Sequence, residues 1–406
     1  MASRVRDRTG LVPALLLCAG LVPVAMNLRT AVTGIPPVLP DLAARYHLTP
    51  TTQSVLVALP TICFGVFSFA ASPLRARFGE ERAIFGSVIV FAVGIGARAL
   101  DPATLLFPGT IVAGAGIGLL NVLLTSLVRR RAPRHVGPML SLYTLSLQVG
   151  STVAAGVSVP IYLATGSFTP TLGIWTLLAV IALVLWLPQL ASRPPRTSLT
   201  EGSLASAQVA RNPLAWLVAC FMGLQSLMYF SALSWLPTLL RSRGMPALEA
   251  GILLSAFNIC GLAASTVAPL LGRTVTGQRV VVVTSFSLGA IGFTGLVLAP
   301  IAIAPVWVVC IGFGQGALLP TALLFMIVRS PDGPTASGLS GMAQGVGYLL
   351  AAAGSFTIGQ AYAVSGTWVV PMVIFVVMCG LGLACGLGAA RDIVLPSVAP
   401  PEPAES

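Results

Sequence analysis

Apolar runs of helix-spanning length recur from one end of this 406-residue chain to the other, separated by short polar stretches. About 20 apolar residues carry a helix across bilayer hydrocarbon, where every backbone N–H and C=O must find its partner within its own segment. Reading for such runs places spans at 11–39, 51–73, 82–100, 103–128, 136–164 and 168–190, then at 212–240, 247–271, 280–299, 304–328, 337–363 and 367–390. The expected fold is an all-α integral membrane protein of twelve spans. Charge agrees: 8% of the residues are charged and 56% hydrophobic, against roughly 25% charged in soluble domains.

Arginine sets the expected orientation, because positive loop residues are retained on the cytoplasmic side. Arg4, Arg6 and Arg8 open the chain, Arg75, Arg77 and Arg82 follow the second span, and Arg129, Arg130, Arg131 and Arg134 follow the fourth. Arg193, Arg196 and Arg211 lie between the halves, and Arg273, Arg279, Arg329 and Arg391 fall on the same side. The opposite side carries Arg45, Arg98, Arg241 and Arg243, all read as outside the membrane. Both termini are therefore expected in the cytoplasm. All 22 basic residues are arginine, which with abundant Ala and Gly points to a GC-rich bacterial genome and hence to a bacterial inner membrane.

The net charge of +11 is on this reading a topology signal. Nucleic acid is excluded as a partner, since the basic residues are dispersed over short loops without interleaved aromatics. Seven cysteines fall within spans as small packing residues, with no disulfide framework or zinc spacing. No Ser-His dyad, metal-ligand set or HExxH run occurs, so neither an enzyme nor a cofactor is expected.

The stretch 191–211 is rich in Pro, Ser and Thr and reads as a cytoplasmic linker. It separates a six-helix bundle at 1–190 from a second at 212–392, with 393–406 as a disordered cytoplasmic tail. The halves resemble each other. A slide of 200 sets Pro37 on Pro237 and Gly114, Gly116, Leu124 and Arg129 on Gly314, Gly316, Leu324 and Arg329; a slide of 197 sets Ile62-Cys63 on Ile259-Cys260 and Val149-Gly150 on Val346-Gly347. Such repeats mark a transporter of two pseudo-symmetric bundles with its site between them. Gly109, Gly114, Gly116 and Gly118, like Gly312, Gly314 and Gly316, are expected to admit close helix contact. Pro23, Pro36, Pro37, Pro60 and Pro237 are expected to kink their helices.

Arg29 stands within the first span. A guanidinium at that depth costs several kcal/mol even on the milder scales, and arginine does not shed its charge. A purely structural arginine would need an acid beside it in the membrane, and no Asp or Glu is expected in any span. His47 and His135 sit in loops, which leaves no side chain placed to carry a proton across.

Asn27-Leu-Arg-Thr-Ala-Val-Thr-Gly34 with Pro37, Arg77-Phe-Gly-Glu-Glu-Arg82, Gly223-Leu-Gln-Ser226 with Tyr229 and Trp235-Leu-Pro237, and Gln344-Gly-Val-Gly-Tyr348 give the chain a family likeness. It resembles the major facilitator superfamily over nearly its whole length, and within it the cyanate permeases and 2-nitroimidazole transporters. The loop after the second span departs from the superfamily signature, with Ser72 at the first glycine and Ala76 at the aspartate. Thr110 stands nearest the place of the fourth-span arginine of proton-driven relatives.

The resemblance implies an alternating-access transporter whose spans one, four, seven and ten line a central pathway, with contributions from two, five, eight and eleven. At 1.5 Å per residue, Arg29 lies roughly 27 Å along its span, Gln225 and Tyr229 roughly 20 and 26 Å along theirs, and Gln315 and Gln148 about 17 and 18 Å along theirs. Arg29 with Thr33, Gln225 with Tyr229, and Gln344 with Tyr348 share helix faces. The candidate substrate-binding set is therefore Asn27, Arg29, Thr33, Gln148, Gln225, Tyr229, Gln315, Gln344 and Tyr348, and the slide of 200 sets Tyr229 opposite Arg29. Asn121, Asn258 and Gln360 read instead as glue between helices, and Tyr143 as packing.

The expected cargo is a small cyanate-like anion or a small planar nitroimidazole-like compound, moved by a monomer without an acidic proton carrier in the membrane. Arg29 would supply charge-assisted hydrogen bonds, the glutamines neutral donors and acceptors, and the tyrosines stacking faces and hydroxyls. Multidrug or metabolite efflux and a non-transporting sensor are the alternatives.

Overall fold

A computed structural model describes residues 2–100, 102–131, 136–191 and 208–397. Helices α1 (Ala2–Thr33), α2 (Leu39–Tyr46), α3 (Pro50–Ser68), α4 (Ala71–Phe78), α5 (Glu80–Leu100), α6 (Pro102–Arg131), α7 (Val136–Thr165) and α8 (Phe168–Trp186) lie before the linker. After it come α9 (Pro213–Ser242), α10 (Ala247–Leu271), α11 (Val275–Leu298), α12 (Ala304–Val328), α13 (Gly333–Ser365) and α14 (Val369–Ala389). Each expected span is therefore a helix. Among the described residues eleven spans have the length and apolar content to cross a membrane. The remaining one, α13, has the length at 33 residues, but Gln344, Gln360 and its many glycines and serines thin its apolar content.

Local chemistry sets the helix ends. Thr49, Ser167, Thr274 and Asp332 occupy N-caps in extended backbone, each side chain accepting an N–H from the first turn. The first two expected spans end earlier than read. α1 stops at Thr33, a 3-10 turn takes Pro36–Val38, and α2 resumes at Leu39, because Pro36 and Pro37 have no N–H to continue the ladder. α3 stops at Ser68 and α4 starts at Ala71, which puts Pro73 in a first turn, where its missing N–H is tolerated. By contrast α3 and α9 run through Pro60 and Pro237 as helix.

The chain divides into two compact units, Met1–Thr197 with Leu233–Ser255, and Ser198–Ala232 with Ala256–Ser406. In the first, α6 lies so close to its neighbours that a Cβ on Gly116 would stand 2.8 Å from that of Phe91, and one on Gly118 2.8 Å from the Cys63 carbonyl. In the second, a Cβ on Gly314 would stand 2.5 Å from the Ser285 carbonyl, and one on Gly316 2.1 Å from that of Gly261. Both glycine-rich faces are contact faces, as expected.

The packing partners correct the register of the repeat. Gly94 presses on Ala113 and Gly292 on Ile311, while Gly116 meets Ser87 and Gly314 meets Ser285, all at an offset of 198. Gly150 packs on Met26 and Gly347 on Gly223, an offset of 197. By that criterion the counterpart of Arg29 is Ser226, not Tyr229. Letter matches at 200 mislead because Gly and Leu recur so often; the surface a residue packs against is the stricter guide.

α8 exposes Ile174, Leu177, Val180, Ile181 and Val184 while burying Leu172, Trp175, Ala179 and Trp186. An apolar face turned outward is what a lipid-facing helix shows.

Two charge expectations change. Arg98, read as lying outside the membrane, is 1% exposed and donates to the Ala31 carbonyl; nearness to a helix end in sequence did not reveal that it turns inward. Glu249 falls within the eighth expected span, in the first turn of α10, where a carboxylate complements the helix dipole. The expected tail also begins held rather than free. Leu395 is buried and its N–H donates to the Arg329 carbonyl at 2.8 Å, while Ser397 bonds the Asp332 carboxylate. Residues 192–207, with Arg193 and Arg196, lie outside the described residues, as do Arg134, His135 and the tail from 398.

Candidate functional site

α1 carries Asn27, Arg29 and Thr33 on its final two turns. Asn27 is buried and its amide folds back onto the Pro23 carbonyl at 2.8 Å, leaving Oδ1 buried without a hydrogen-bond partner among the described residues. Thr33 is bound across helices, its hydroxyl 2.8 Å from that of Ser151 on α7. Two turns earlier on α1, Gly150 of α7 admits the Met26 backbone, since a Cβ there would stand 2.3 Å from the Met26 carbonyl. This seam fixes α1 against α7 on both sides of Arg29, which is half-buried. Gln148, buried, lies three residues before Ser151 and so on the same face of α7. The structure thus brings Thr33 and Ser151 together, with Gln148 one turn before Ser151 on α7.

In the second unit Gln225 is buried and its amide donates to the Ser226 hydroxyl at 2.6 Å and the Met222 sulfur at 3.2 Å. Tyr229 donates from its hydroxyl to Asn258 Oδ1 at 3.3 Å, its ring edge-on to Phe230 at 5.4 Å and tilted to Phe257 at 5.8 Å. Asn258, read as glue, is thus the partner of a candidate site residue. Gln344 donates to Ser340 at 2.9 Å. It lies one turn before Gly347, where α13 meets α9 at Gly223, and half-buried Tyr348 follows directly. Gln315 is 2% exposed, and neither amide atom has a hydrogen-bond partner among the described residues. It lies beside Gly289, as do Met228 and Cys379, within its own bundle.

The loop after the second span is held by ion pairs between α5 and α6. Glu80 and Glu81 occupy the first turn of α5 and pair with Arg130 at 3.3 Å and Arg131 at 2.5 Å on the last turn of α6. Acids at a helix start and cations at a helix end both match the dipole. Arg75 donates to Ser126 at 2.8 Å, and the Trp186 indole donates to the Glu81 carbonyl at 3.1 Å. Carboxylates from α5 therefore anchor this corner, where Ala76 offers none. Asp41 and Arg241 form a further pair, and Ser255 donates to the Thr152 carbonyl at 3.0 Å. No sequence pattern pointed to these contacts, since each joins elements far apart in the chain.

Apolar spans packed by glycine, with apolar faces turned outward, define a multi-pass membrane protein. The chain belongs to the major facilitator superfamily, whose family model matches residues 16–352. Over 93% of its length it is 36% identical to the uncharacterized transporter YycB of Bacillus subtilis, covering 94% of that protein. It is 35% identical to the 2-nitroimidazole transporter of Escherichia coli over 93% of its length and 96% of the relative's. With the cyanate transport protein CynX of the same organism the identity is 27%, over 89% of this chain and 94% of the relative. These relatives form the cyanate and nitroimidazole branch. The fold also matches the crystal structure of a bacterial homologue of the lysosomal transporter Spinster, with a TM-score of 0.71 at 14% identity over 95% of this chain and 99% of that one.

Proposed function

We propose that this protein is an alternating-access transporter of a small anion or small planar polar compound, with Arg29 as the recognising charge. The observation that carries the reading is the placement of Arg29, half-buried on α1 between Asn27 and the Thr33–Ser151 hydroxyl pair. Such a guanidinium gives a carboxylate-like or heterocyclic acceptor planar, two-pronged hydrogen bonds. The relatives' names supply two chemistries of this kind, cyanate and 2-nitroimidazole. Asn27, Thr33, Gln148, Gln225, Tyr229, Gln315, Gln344 and Tyr348 are the neutral groups of the proposed site. The bilayer is a bacterial inner membrane, both termini are cytoplasmic and the working unit is a monomer.

Transport proceeds without an acidic proton carrier inside the membrane. Glu80, Glu81 and Glu249 stand in first turns, and the first two are paired with arginine. The charge of an anionic cargo is balanced by Arg29, and exchange is the proposed mode of transport. Proteoliposomes loaded with cyanate or 2-nitroimidazole test this: counter-substrate should accelerate uptake, with no proton flux. Lumenal acidification in strict proportion to the flux of an N-alkylated 2-nitroimidazole, which has no titratable N–H, would overturn the coupling, and uptake of neither cyanate nor 2-nitroimidazole would overturn the cargo.

A further inference from the structure

Arg98 is a second buried guanidinium, and it is directed at the helix that carries Arg29. Pro36 and Pro37 have no N–H, so the carbonyls of Val32 and Thr33 lose the donors that a continuing helix would supply four residues on. At this open end Arg98 Nη1 donates to the Ala31 carbonyl at 3.1 Å. A cation there lies at the negative end of the α1 dipole. The remaining nitrogens, Nε and Nη2, are buried without hydrogen-bond partners among the described residues. A charge so incompletely satisfied is a poor device for stability alone, since an apolar side chain of similar volume often does as well or better. Close packing holds it there: a Cβ on Gly109 would stand 2.8 Å from that of Arg98, and one on Gly34 2.9 Å from the Trp175 indole nitrogen.

We propose that Arg98 is a positioning residue: it caps the Ala31 carbonyl near the end of α1 and so fixes the turns that present Arg29 and Thr33. The inference rests on the reading of Arg29 as the recognising charge. Arg98 acts on a carbonyl and touches no substrate. Its loss lets the end of α1 swing away from α7, loosening the seam at Thr33 and Ser151 while leaving α5 intact.

The test is a disulfide between Thr33→Cys and Ser151→Cys in the full chain with its native cysteines replaced. The native hydroxyls are 2.8 Å apart, so the rate of disulfide formation reports the position of the α1 end. Replacing Arg98 with Leu should slow cross-linking about tenfold or more in protein that still elutes as a folded species, whereas Arg98→Lys, which keeps a donor, should stay within about threefold of the parent. Parental cross-linking in folded Arg98→Leu overturns the proposal. Should Arg98→Leu fail to fold, Arg98→Met, apolar but of similar length, takes its place: slowed cross-linking supports the proposal and parental cross-linking overturns it. Arg29→Ala should leave cross-linking unchanged while losing cyanate uptake; cyanate uptake at the parental rate would remove Arg29 as the recognising charge and leave the role of Arg98 at the end of α1 standing.

Discussion

Asp41 and Arg241 meet in a two-pronged ion pair, Nη1 to Oδ2 at 2.5 Å and Nη2 to Oδ1 at 2.9 Å. The pair ties the end of α9 to α2, and both side chains are about a quarter exposed, 26% for Asp41 and 22% for Arg241. Solvent screening keeps such pairs modest. Asp41→Asn is expected to cost about 1 kcal/mol or less, and the exchange Asp41→Arg with Arg241→Asp to recover most of it. Thermal unfolding in detergent of Asp41→Arg, Arg241→Asp and the exchanged pair checks this; a loss in the exchanged pair equal to the sum of the two single losses would show that the pair contributes nothing.

Arg29→Ala should weaken binding of an anionic probe by roughly 2 to 5 kcal/mol, the cost of removing one partner of a desolvated charge pair. Arg29→Lys should recover only part, since an ammonium lacks the planar fork. Calorimetry with cyanate measures both. Near-parental affinity in the alanine variant would assign the residue a structural role.

Gly316→Ala should destabilise the second unit by about 1 to 3 kcal/mol, because overpacking forces backbone apart and its Cβ would stand 2.1 Å from the Gly261 carbonyl. Gly380→Ala is the control, with nothing within 4 Å of the added carbon. Expression level and apparent melting temperature of the two variants should differ clearly.

Tyr229→Phe removes the donor to Asn258 and leaves a wholly buried amide with one partner fewer, an expected loss of about 1 to 3 kcal/mol. Tyr229→Phe with Asn258→Leu should lose less than the two single changes added together. Additive losses in a thermal-shift cycle would mean that the two residues do not act as a pair.

The Ser397 hydroxyl, then the Thr335 amide and hydroxyl, hold the Asp332 carboxyl below the ordinary aspartate range. With the folded value depressed, this contribution is present above the unfolded value and is lost as pH falls through the folded one. Anchoring of residues 393–397 should thus persist through mild acid and fail only in stronger acid. Hydrogen exchange of that segment, corrected for intrinsic rate, should show this, and Ser397→Ala should move the release toward higher pH.

The spans were legible in the sequence because lipid imposes one demand, that each segment satisfy its own backbone, and apolar length reports it directly. Arg29 was legible for the same reason, as a charge out of place. The break after Thr33 was less so: Pro36 and Pro37 were visible as kinks, but not as the end of a helix whose carbonyls an arginine from α5 would meet. The true register of the repeat, 197 to 198 rather than 200, came from packing partners, which letters common to every span could not supply.

The sequence by itself determined solvent, fold class and family, since these follow from composition, apolar length and motif. Tertiary structure alone decided that Arg98 turns inward, that Asn258 holds Tyr229, that Thr33 meets Ser151, and that Glu80 and Glu81 anchor the corner where Ala76 offers no carboxylate. Each of these is a pairing between residues far apart in the chain, set by which helix faces come together, and no one-dimensional pattern encodes that choice.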